Sequence, residues 1–393
     1  MENISTKNIF NDFIALIWEL ETNQKKSFTN LDKTIISKLN YFDKVNTHSI
    51  LNFIKSHRLS LTILNHPELK NIIPNSYIAV KNNKEKIKSL FLRKVIIFKK
   101  VIELLNKSNI KFLIIKGFPL SYQINLDYFG RLHADLDIFI DPSDLEKTIR
   151  ILKEINYSTN HIVTKKFLRN KINKFFKYIL YEVTLIDENS QFDPIDLHWQ
   201  LYNFNSSLPL FKDAWITREE MCFENLSFFT LSKENAFLLA CANAKKDSWM
   251  FISQLIEIEK LSNLIDEKFL FESSRLRFVR QSLSVLLQFS KNQKFYKLIE
   301  VNSLDYKFAN KYSSISIFKS RTKGAQNNYS LNELIYIILH IFLMCLNFND
   351  IKKLIIYYVL KLTKIIFKHT KSFFILTAKF KIRNNINIDK IHK

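Results

Sequence analysis

The chain has 393 residues, of which 47% are hydrophobic and 24% are charged, so it can form two or three domains and is not an intrinsically disordered protein. Its formal net charge of +22 attracts nucleotides, nucleic acid or an anionic membrane surface, although a composition rich in Lys and Asn is also what an AT-rich genome produces. Three scattered cysteines and an N-terminus without a signal-peptide pattern argue against a disulfide-stabilised secreted protein and predict a cytoplasmic one.

The first part of the chain, residues 1–108, is predicted to be helical. Apolar residues recur at helical spacing in three stretches, Asn8–Leu20, Ser49–Leu64 and Lys84–Ser108. We expect this N-terminal helical region to precede a core of a different kind.

The pattern changes at residue 109, and a core that contains β-strands is predicted over residues 109–230. Lys111–Gly117 is a short apolar run that ends at a glycine, which is typical of a buried strand. A short helix opened by Pro119, a loop and the alternating strand Asp135–Ile140 are expected to follow. The next helix, Asp141–Tyr157, starts with an aspartate cap and a proline at its first position.

Two more strands are predicted before the chain becomes helical again. Tyr178–Asp187 and Pro194–Tyr202 have strand-like composition and are joined by turn-forming residues. Residues 231–393 are predicted to form a C-terminal helical region. Its most apolar run, Leu334–Leu346, is shorter than the roughly 20 residues that a membrane-spanning helix needs, which favours a buried helix. The basic segment 352–371 fits a solvated helix face or a peripheral contact with anionic lipid at the inner membrane face.

The strongest chemical signal is a pair of aspartates at alternate positions of one predicted strand. Asp135 and Asp137 point to the same side, so their oxygens can share a divalent cation, and hard oxygen ligands suit Mg²⁺ or Mn²⁺. Asp196 lies on a strand that could pair with this one and is the candidate for a third carboxylate. His198 shares a face with Asp196 and is a candidate for orienting it.

Positive charge and a glycine turn accompany these carboxylates. Gly117 follows the first strand and would let backbone amides approach a phosphate closely. Lys116 beside it and Arg131 on the following loop supply positive charge for a triphosphate. These residues are typical of phosphoryl transfer that depends on positioning and charge neutralisation.

Each of these residues also has a structural interpretation. Asp135 and Asp137 could lie on a solvated strand face, and Asp196 could be the partner of a surface salt bridge. Lys116 could be a charged strand end, Arg131 could pair structurally with one of the two aspartates, and His198 could be a satisfied, half-buried histidine.

In their order along the chain, the quoted pieces resemble the nucleotidyltransferase superfamily of DNA polymerase beta. The resemblance is closest to a bacterial nucleotidyltransferase branch with the pattern LLKG…R…DIDLLV…VDLHW. The corresponding pieces here are IIKG at Ile114–Gly117, Arg131, DLDIFI at Asp135–Ile140 and IDLHW at Ile195–Trp199. A further upstream stretch of the branch is similar to HRLSLTIL at His57–Leu64, and the resemblance covers roughly residues 50–365.

This resemblance implies an α+β fold in which a small mixed sheet, the polymerase-beta-like core, is flanked by helical regions. It implies that Asp135 and Asp137 are metal ligands and that Asp196 is the third carboxylate, acting as a ligand or as the base for the incoming hydroxyl. Lys116, Gly117 and Arg131 would face the nucleotide phosphates. The sequence departs from the superfamily in having Lys-Gly where Gly-Ser is usual, and it has Glu257 where the branch often has Asp.

We therefore expect a metal-dependent enzyme that transfers a nucleoside monophosphate from an NTP to an unidentified acceptor hydroxyl or phosphate and releases pyrophosphate. The acceptor could be a small molecule, a glycan precursor or a protein. One alternative is a catalytically inactive protein of the same fold that senses nucleotides or acts as a scaffold at the membrane surface. A further alternative is a transferase that modifies RNA, which the net charge of +22 favours, although the scattered charge argues against a dedicated nucleic-acid binder.

Overall fold

The computed structural model describes residues 6–22, 33–131, 135–159, 181–202, 207–290 and 292–299, together with positions 303, 306, 307 and 310. The predictions for the apolar run Leu334–Leu346 and for the basic segment 352–371 lie outside the described residues.

Helices fill the described part of the chain before residue 109, as the apolar spacing predicts. They are α1 (Thr6–Thr22), α2 (Lys33–Ser56), α3 (Ser60–Asn65), α4 (Pro74–Asn82) and α5 (Lys84–Lys107). Asp43 on α2 is fully buried and accepts hydrogen bonds from the backbone N–H groups of Asn75 and Ser76, which fixes the start of α4 against α2.

The centre of the molecule is a five-stranded mixed sheet. Its strands are β1 (Phe112–Ile115), β2 (Leu136–Ile140), β3 (Tyr157–Thr159), β4 (Glu182–Asp187) and β5 (Ile195–His198). The order across the sheet is β1-β2-β5-β4-β3, with β2 and β5 parallel and every other neighbouring pair antiparallel. Helix α6 (Gly117–Asn125) connects β1 to β2, and α7 (Leu145–Lys153) follows β2. The predicted α+β class with a small mixed sheet and helical flanks is confirmed.

One predicted helix is too long. The helix expected over Asp141–Tyr157 begins as expected, because the Asp141 side chain accepts a hydrogen bond from the backbone N–H of Ser143. It ends at Lys153, and Asn156 then adopts a positive φ of 67° that turns the chain into β3. A three-residue edge strand is too short for alternation to reveal it in the sequence.

A second two-stranded sheet was not predicted. It is a hairpin of β6 (Glu219–Phe223) and β7 (Leu226–Thr230), and it follows the short helix α8 (Phe211–Ile216). Its turn contains Glu224 at a φ of 53° rather than a glycine, so the usual hairpin signal is missing from the sequence.

The last described helices are α9 (Lys233–Lys246), α10 (Ile252–Ser262), α11 (Glu267–Ser274), α12 (Arg277–Leu286) and α13 (Gln293–Leu298). Ser232 caps α9 by accepting a hydrogen bond from the backbone N–H of Asn235. None of the helices in the described ranges combines the length and the apolar character that crossing a membrane requires.

The central sheet is covered differently on its two faces. On one face, Ile138 and Leu197 pack into an apolar cluster with α5 and α7. On the other face, Leu113 and Phe139 join a second cluster that contains α1 and the helices after residue 232. The polar residues of β2 and β5 lie on this second face, beside the apolar cluster.

Candidate active site

Two paired strands bring the predicted carboxylates together. Asp137 on β2 is directly opposite Asp196 on β5 in the parallel register, and Asp135 immediately precedes β2. One oxygen from each of the three carboxylates can be chosen so that all lie within 4.8 Å of one another. This separation suits joint coordination of a cation, because carboxylate oxygens bound to one small divalent ion lie within such a distance.

Asp137 is held rigidly at the centre of the site. Its side chain is only 5% exposed, which excludes a solvated strand face at this position. Its Oδ1 accepts a hydrogen bond from Lys116 Nζ at 2.7 Å and lies 2.9 Å from His198 Nε2. Burial would raise the pKa of Asp137, but the charge of Lys116 and the hydrogen bond with His198 outweigh burial and hold that pKa well below its usual range.

Asp135 shows that the site carries uncompensated negative charge. Burial and the neighbouring charges of Asp137 and Asp196 raise the pKa of Asp135 to about 6. Lys116 opposes this rise and is not sufficient to cancel it. A divalent cation fits this set of hard oxygen donors and would remove the repulsion among them.

Two residues of β4 approach the site and were not predicted. Thr184 is opposite Asp196, and its hydroxyl donates to Asp196 Oδ1 at 2.6 Å. Glu182 is opposite His198, with its Oε2 3.3 Å from His198 Nδ1. His198 is buried and its Nε2 meets Asp137, whereas the sequence suggested that it would orient Asp196. His198 is directly opposite Phe139, and Asp137 is the next residue of β2 on the same face, so this contact depends on a strand register that the sequence alone does not show.

The turn after β1 has an unusual backbone. Lys116 has φ 62° and ψ −156°, a region that is almost restricted to glycine, and Gly117 follows at φ 51°. The turn places the Lys116 ammonium on Asp137, so this lysine is not simply a charged strand end. Burial would lower the pKa of Lys116, but the charge of Asp137 raises it above its ordinary value. The ammonium therefore stays protonated beside the carboxylates.

Arg131 is held by a residue of the C-terminal helices. Its Nε donates to Glu257 Oε1 on α10, and the two side chains are 17% and 8% exposed. Burial would lower the pKa of Arg131, but the charge of Glu257 raises it, and Asp137 and Asp135 add smaller contributions. The hydrogen bond of Arg131 Nε is thus to Glu257, whereas the sequence suggested a pairing of Arg131 with Asp135 or Asp137. The sequence marks Glu257 as a departure from the branch but does not show that it faces Arg131.

Lys116, Arg131, Asp135, Asp137 and Glu257 line an open cleft of about 270 Å³, to which helices α9 and α10 also contribute. Its lining contains both cationic and anionic side chains. The charged residues of its lining are Arg58, Lys116, Arg131, Asp135, Asp137, Lys246, Asp247 and Glu257. The cleft is large enough to admit part of a nucleotide beside the carboxylates.

Clustered carboxylates on paired strands, beside a basic glycine-containing turn and an open cleft, could hold a metal ion, and this combination is typical of phosphoryl-transfer sites. A family model described as "Uncharacterised nucleotidyltransferase" matches residues 43–289, more than half of the chain, and the protein belongs to this family. The chain is therefore a nucleotidyltransferase, which acts on an NTP and an acceptor.

Two further comparisons add little to this assignment. A solved structure of the lincosamide antibiotic adenylyltransferase LnuA with lincomycin bound is 15% identical to the protein. The match covers 42% of this chain and 94% of that chain, with a TM-score of 0.28, so no argument about the substrate rests on it. No curated protein matches the chain.

Proposed function

We propose that the protein transfers a nucleoside monophosphate from an NTP to an acceptor hydroxyl or phosphate group and releases pyrophosphate. Asp135, Asp137 and Asp196 would hold a divalent cation, Mg²⁺ or Mn²⁺, during this reaction. The observation that carries the proposal is the approach of these three carboxylates within 4.8 Å on paired strands, two of them, Asp135 and Asp137, in the lining of the cleft.

The surroundings of Asp137 and Asp196 support this role. Both Lys116 and His198 approach the Oδ1 atom of Asp137, and Thr184 donates to the Oδ1 atom of Asp196. In each case the protein fixes one carboxylate oxygen, and we propose that the second oxygen faces the cation. When bound, the cation would neutralise charge on the transferring phosphoryl group and lower the pKa of the acceptor hydroxyl.

The chemical step follows from these positions. The acceptor oxygen forms a bond to the α-phosphorus of the NTP, and the bond from that phosphorus to the bridging β-oxygen breaks. Pyrophosphate leaves with the bonding electron pair. Asp196, which is less buried than Asp137, would take the proton of the acceptor hydroxyl; alternatively it would be a ligand of the shared cation, and the proton would pass to solvent. Lys116, the Gly117 turn and Arg131 would stabilise the charge on the phosphates.

The proposal is tested by calorimetric titration of each of the four NTPs into the purified protein, with and without Mg²⁺. The wild type is compared with an Asp135→Asn/Asp137→Asn variant, which keeps the size of the side chains. Asp213→Asn is the matched control, because Asp213 is an exposed aspartate on α8 outside the cleft. We expect Mg²⁺-dependent binding of one NTP by the wild type and by the control, and its loss in the double variant.

Two outcomes would contradict the proposal. The folded wild type could fail to bind any NTP in the presence of Mg²⁺ or Mn²⁺, which would favour an inactive scaffold. Alternatively, the double variant could bind NTP as tightly as the wild type, which would place the nucleotide elsewhere. Steeply salt-dependent binding of RNA in the absence of NTP would instead support the RNA-modifying alternative.

A further inference from the structure

We propose that Arg58 binds the terminal phosphates of the NTP, which leave as pyrophosphate. This inference rests on the proposed function and adds to it a residue from the helices that precede the sheet. Arg58 belongs to the stretch His57–Leu64, which resembles an upstream motif of the family but has no role in the chemistry described so far.

The backbone around Arg58 presents its side chain to the cleft. Arg58 lies between the end of α2 and the start of α3 and has a φ of 59°, in the left-handed region that favours glycine. Its neighbours His57 and Leu59 are both fully buried, whereas Arg58 is exposed. A buried residue on each side holds the turn, so a non-glycine residue is kept in a strained conformation at the cleft, as is common at functional sites.

The guanidinium group of Arg58 is held in place by a ring contact that leaves its N–H groups available. Its central carbon lies 4.0 Å from the centre of the Phe251 ring, which is a cation–π contact. Stacking of this kind uses the flat face of the guanidinium and leaves the N–H groups on its edge available to a bidentate acceptor such as phosphate.

Arg58 differs from the other cations of the cleft in its polar partners. Lys116 donates to Asp137, Arg131 donates to Glu257, and Lys246 Nζ lies 3.4 Å from the hydroxyl of Tyr181. Within the part of the chain that the structure describes, the Arg58 guanidinium has neither a carboxylate partner nor a hydrogen bond. Its hydrogen-bonding capacity therefore remains for a ligand.

The position of Arg58 indicates which part of the ligand it meets. Arg58, Arg131 and Glu257 line both the cleft and a smaller adjoining pocket of about 40 Å³, whereas Asp135 and Asp137 line the cleft only. Arg58 thus lies beside Arg131, on the side that leads away from the carboxylates. In the proposed reaction the α-phosphate would lie at the carboxylates, so phosphates that extend from there toward Arg131 and Arg58 would be the terminal ones.

The test uses calorimetry in the presence of Mg²⁺, with three probes: the NTP that the wild type prefers, inorganic pyrophosphate, and the corresponding NMP. The main variant is Arg58→Gly, because glycine relieves the positive φ while removing the side chain, so loss of folding is not expected. Arg58→Gln is the second variant, and Lys55→Gln is the control, since Lys55 is an exposed cation on α2 that does not line the cleft.

We expect both Arg58 variants to weaken the binding of NTP and of pyrophosphate by about 10-fold or more, as loss of a charge-assisted hydrogen bond predicts. Binding of the NMP and all binding by the Lys55→Gln control should change by less than about 2-fold. The inference is overturned if the wild type binds NTP and both Arg58 variants bind NTP and pyrophosphate equally well. If the wild type itself binds neither NTP nor pyrophosphate, the proposed function fails and this inference fails with it.

Discussion

Lys116 combines a strained backbone with a favourable charge. Its conformation is one that glycine adopts readily and that costs other residues about 1–3 kcal/mol. Its ammonium group nevertheless lies 2.7 Å from the buried carboxylate of Asp137. Removing one member of a buried ion pair costs about 3–5 kcal/mol, which exceeds the strain, although Asp137 would keep its contact with His198. The balance of these two terms explains why a lysine can occupy a turn that glycine would fit better.

This balance predicts the stabilities of two substitutions. Lys116→Ala loses the ammonium and keeps the strain, whereas Lys116→Gly loses the ammonium and relieves the strain. We expect both variants to be less stable than the wild type and Lys116→Gly to be about 1 kcal/mol more stable than Lys116→Ala, the reverse of the usual order for these residues. Urea unfolding at neutral pH measures the difference. Equal stabilities, or a more stable alanine variant, would show that the backbone is relaxed.

Some residues of the site could be predicted from their spacing in the sequence. Others could be identified only from the way the strands and helices pack in three dimensions. Asp135 and Asp137 could be predicted because alternate positions of a strand share a face. Thr184 and Glu182 could not, since their roles depend on which strand lies beside β5 and in what register. The same is true of Glu257, whose contact with Arg131 joins residues that lie far apart in the chain.

At the scale of helices and strands, a polar cluster links four separate elements. Glu21 on α1 pairs with Lys260 on α10, and Lys260 Nζ also donates to Asn125 Oδ1 at the end of α6. His66, between α3 and the turn before α4, lies 3.6 Å from the same Glu21 carboxylate. Burial would raise the pKa of Glu21, but the hydrogen bond with His66 and the charge of Lys260 outweigh it and lower the pKa to about 2.

This cluster predicts a pH window for stability. The lowered pKa of Glu21 contributes stability above the ordinary glutamate value of 4.5, and that contribution is lost as the pH falls toward 2. Burial would lower the pKa of His66, but the hydrogen bond and charge of Glu21 raise it above 6.5. The contribution of His66 is therefore present below pH 6.5 and is lost as the pH rises through its folded pKa.

We expect Glu21→Gln to destabilise the protein by about 2–3 kcal/mol between pH 4.5 and 6.5, the ordinary values of the two groups. The difference from wild type should shrink at lower pH and, in part, at higher pH, where Lys260 still pairs with Glu21. Thermal unfolding over a pH series measures it, with Glu19→Gln on the same helix as the control. A difference that does not vary with pH would contradict this account.

The prediction of helices and strands succeeded where the sequence has a clear apolar periodicity. The helix α5 and the strand β2 both follow their apolar patterns, and the pairing of the two aspartate-bearing strands occurs as expected. The hairpin of β6 and β7 was missed because its turn uses Glu224 and Asn225 in place of glycine. In a chain with three glycines, residues such as Asn109, Asn156 and Glu224 adopt positive φ, so turns carry a weak signal.

At the scale of the whole molecule, the helices at the two ends of the described chain share one apolar cluster. Phe13 and Ile17 of α1 are buried together with Leu255 of α10 and Phe237 of α9, and Phe139 of the sheet belongs to the same cluster. Helices α9 and α10 also form the wall of the cleft. The division into regions 1–108, 109–230 and 231–393 stays a prediction. We propose that the two helical regions unfold together, because neither buries this surface without the other.

Substitution of Phe13 by alanine tests this coupling. Phe13 is fully buried in the shared cluster, and the loss of a buried phenylalanine typically costs about 3–5 kcal/mol. If the helical regions unfold together, hydrogen exchange should become faster by a similar factor in α1 and in α10, and NTP binding should weaken because the cleft loses its wall. Tyr41→Ala is the control, since Tyr41 is an aromatic residue of α2 that is 53% exposed. Faster exchange in α1 with unchanged protection in α10 would show that the wall of the cleft is stable without α1.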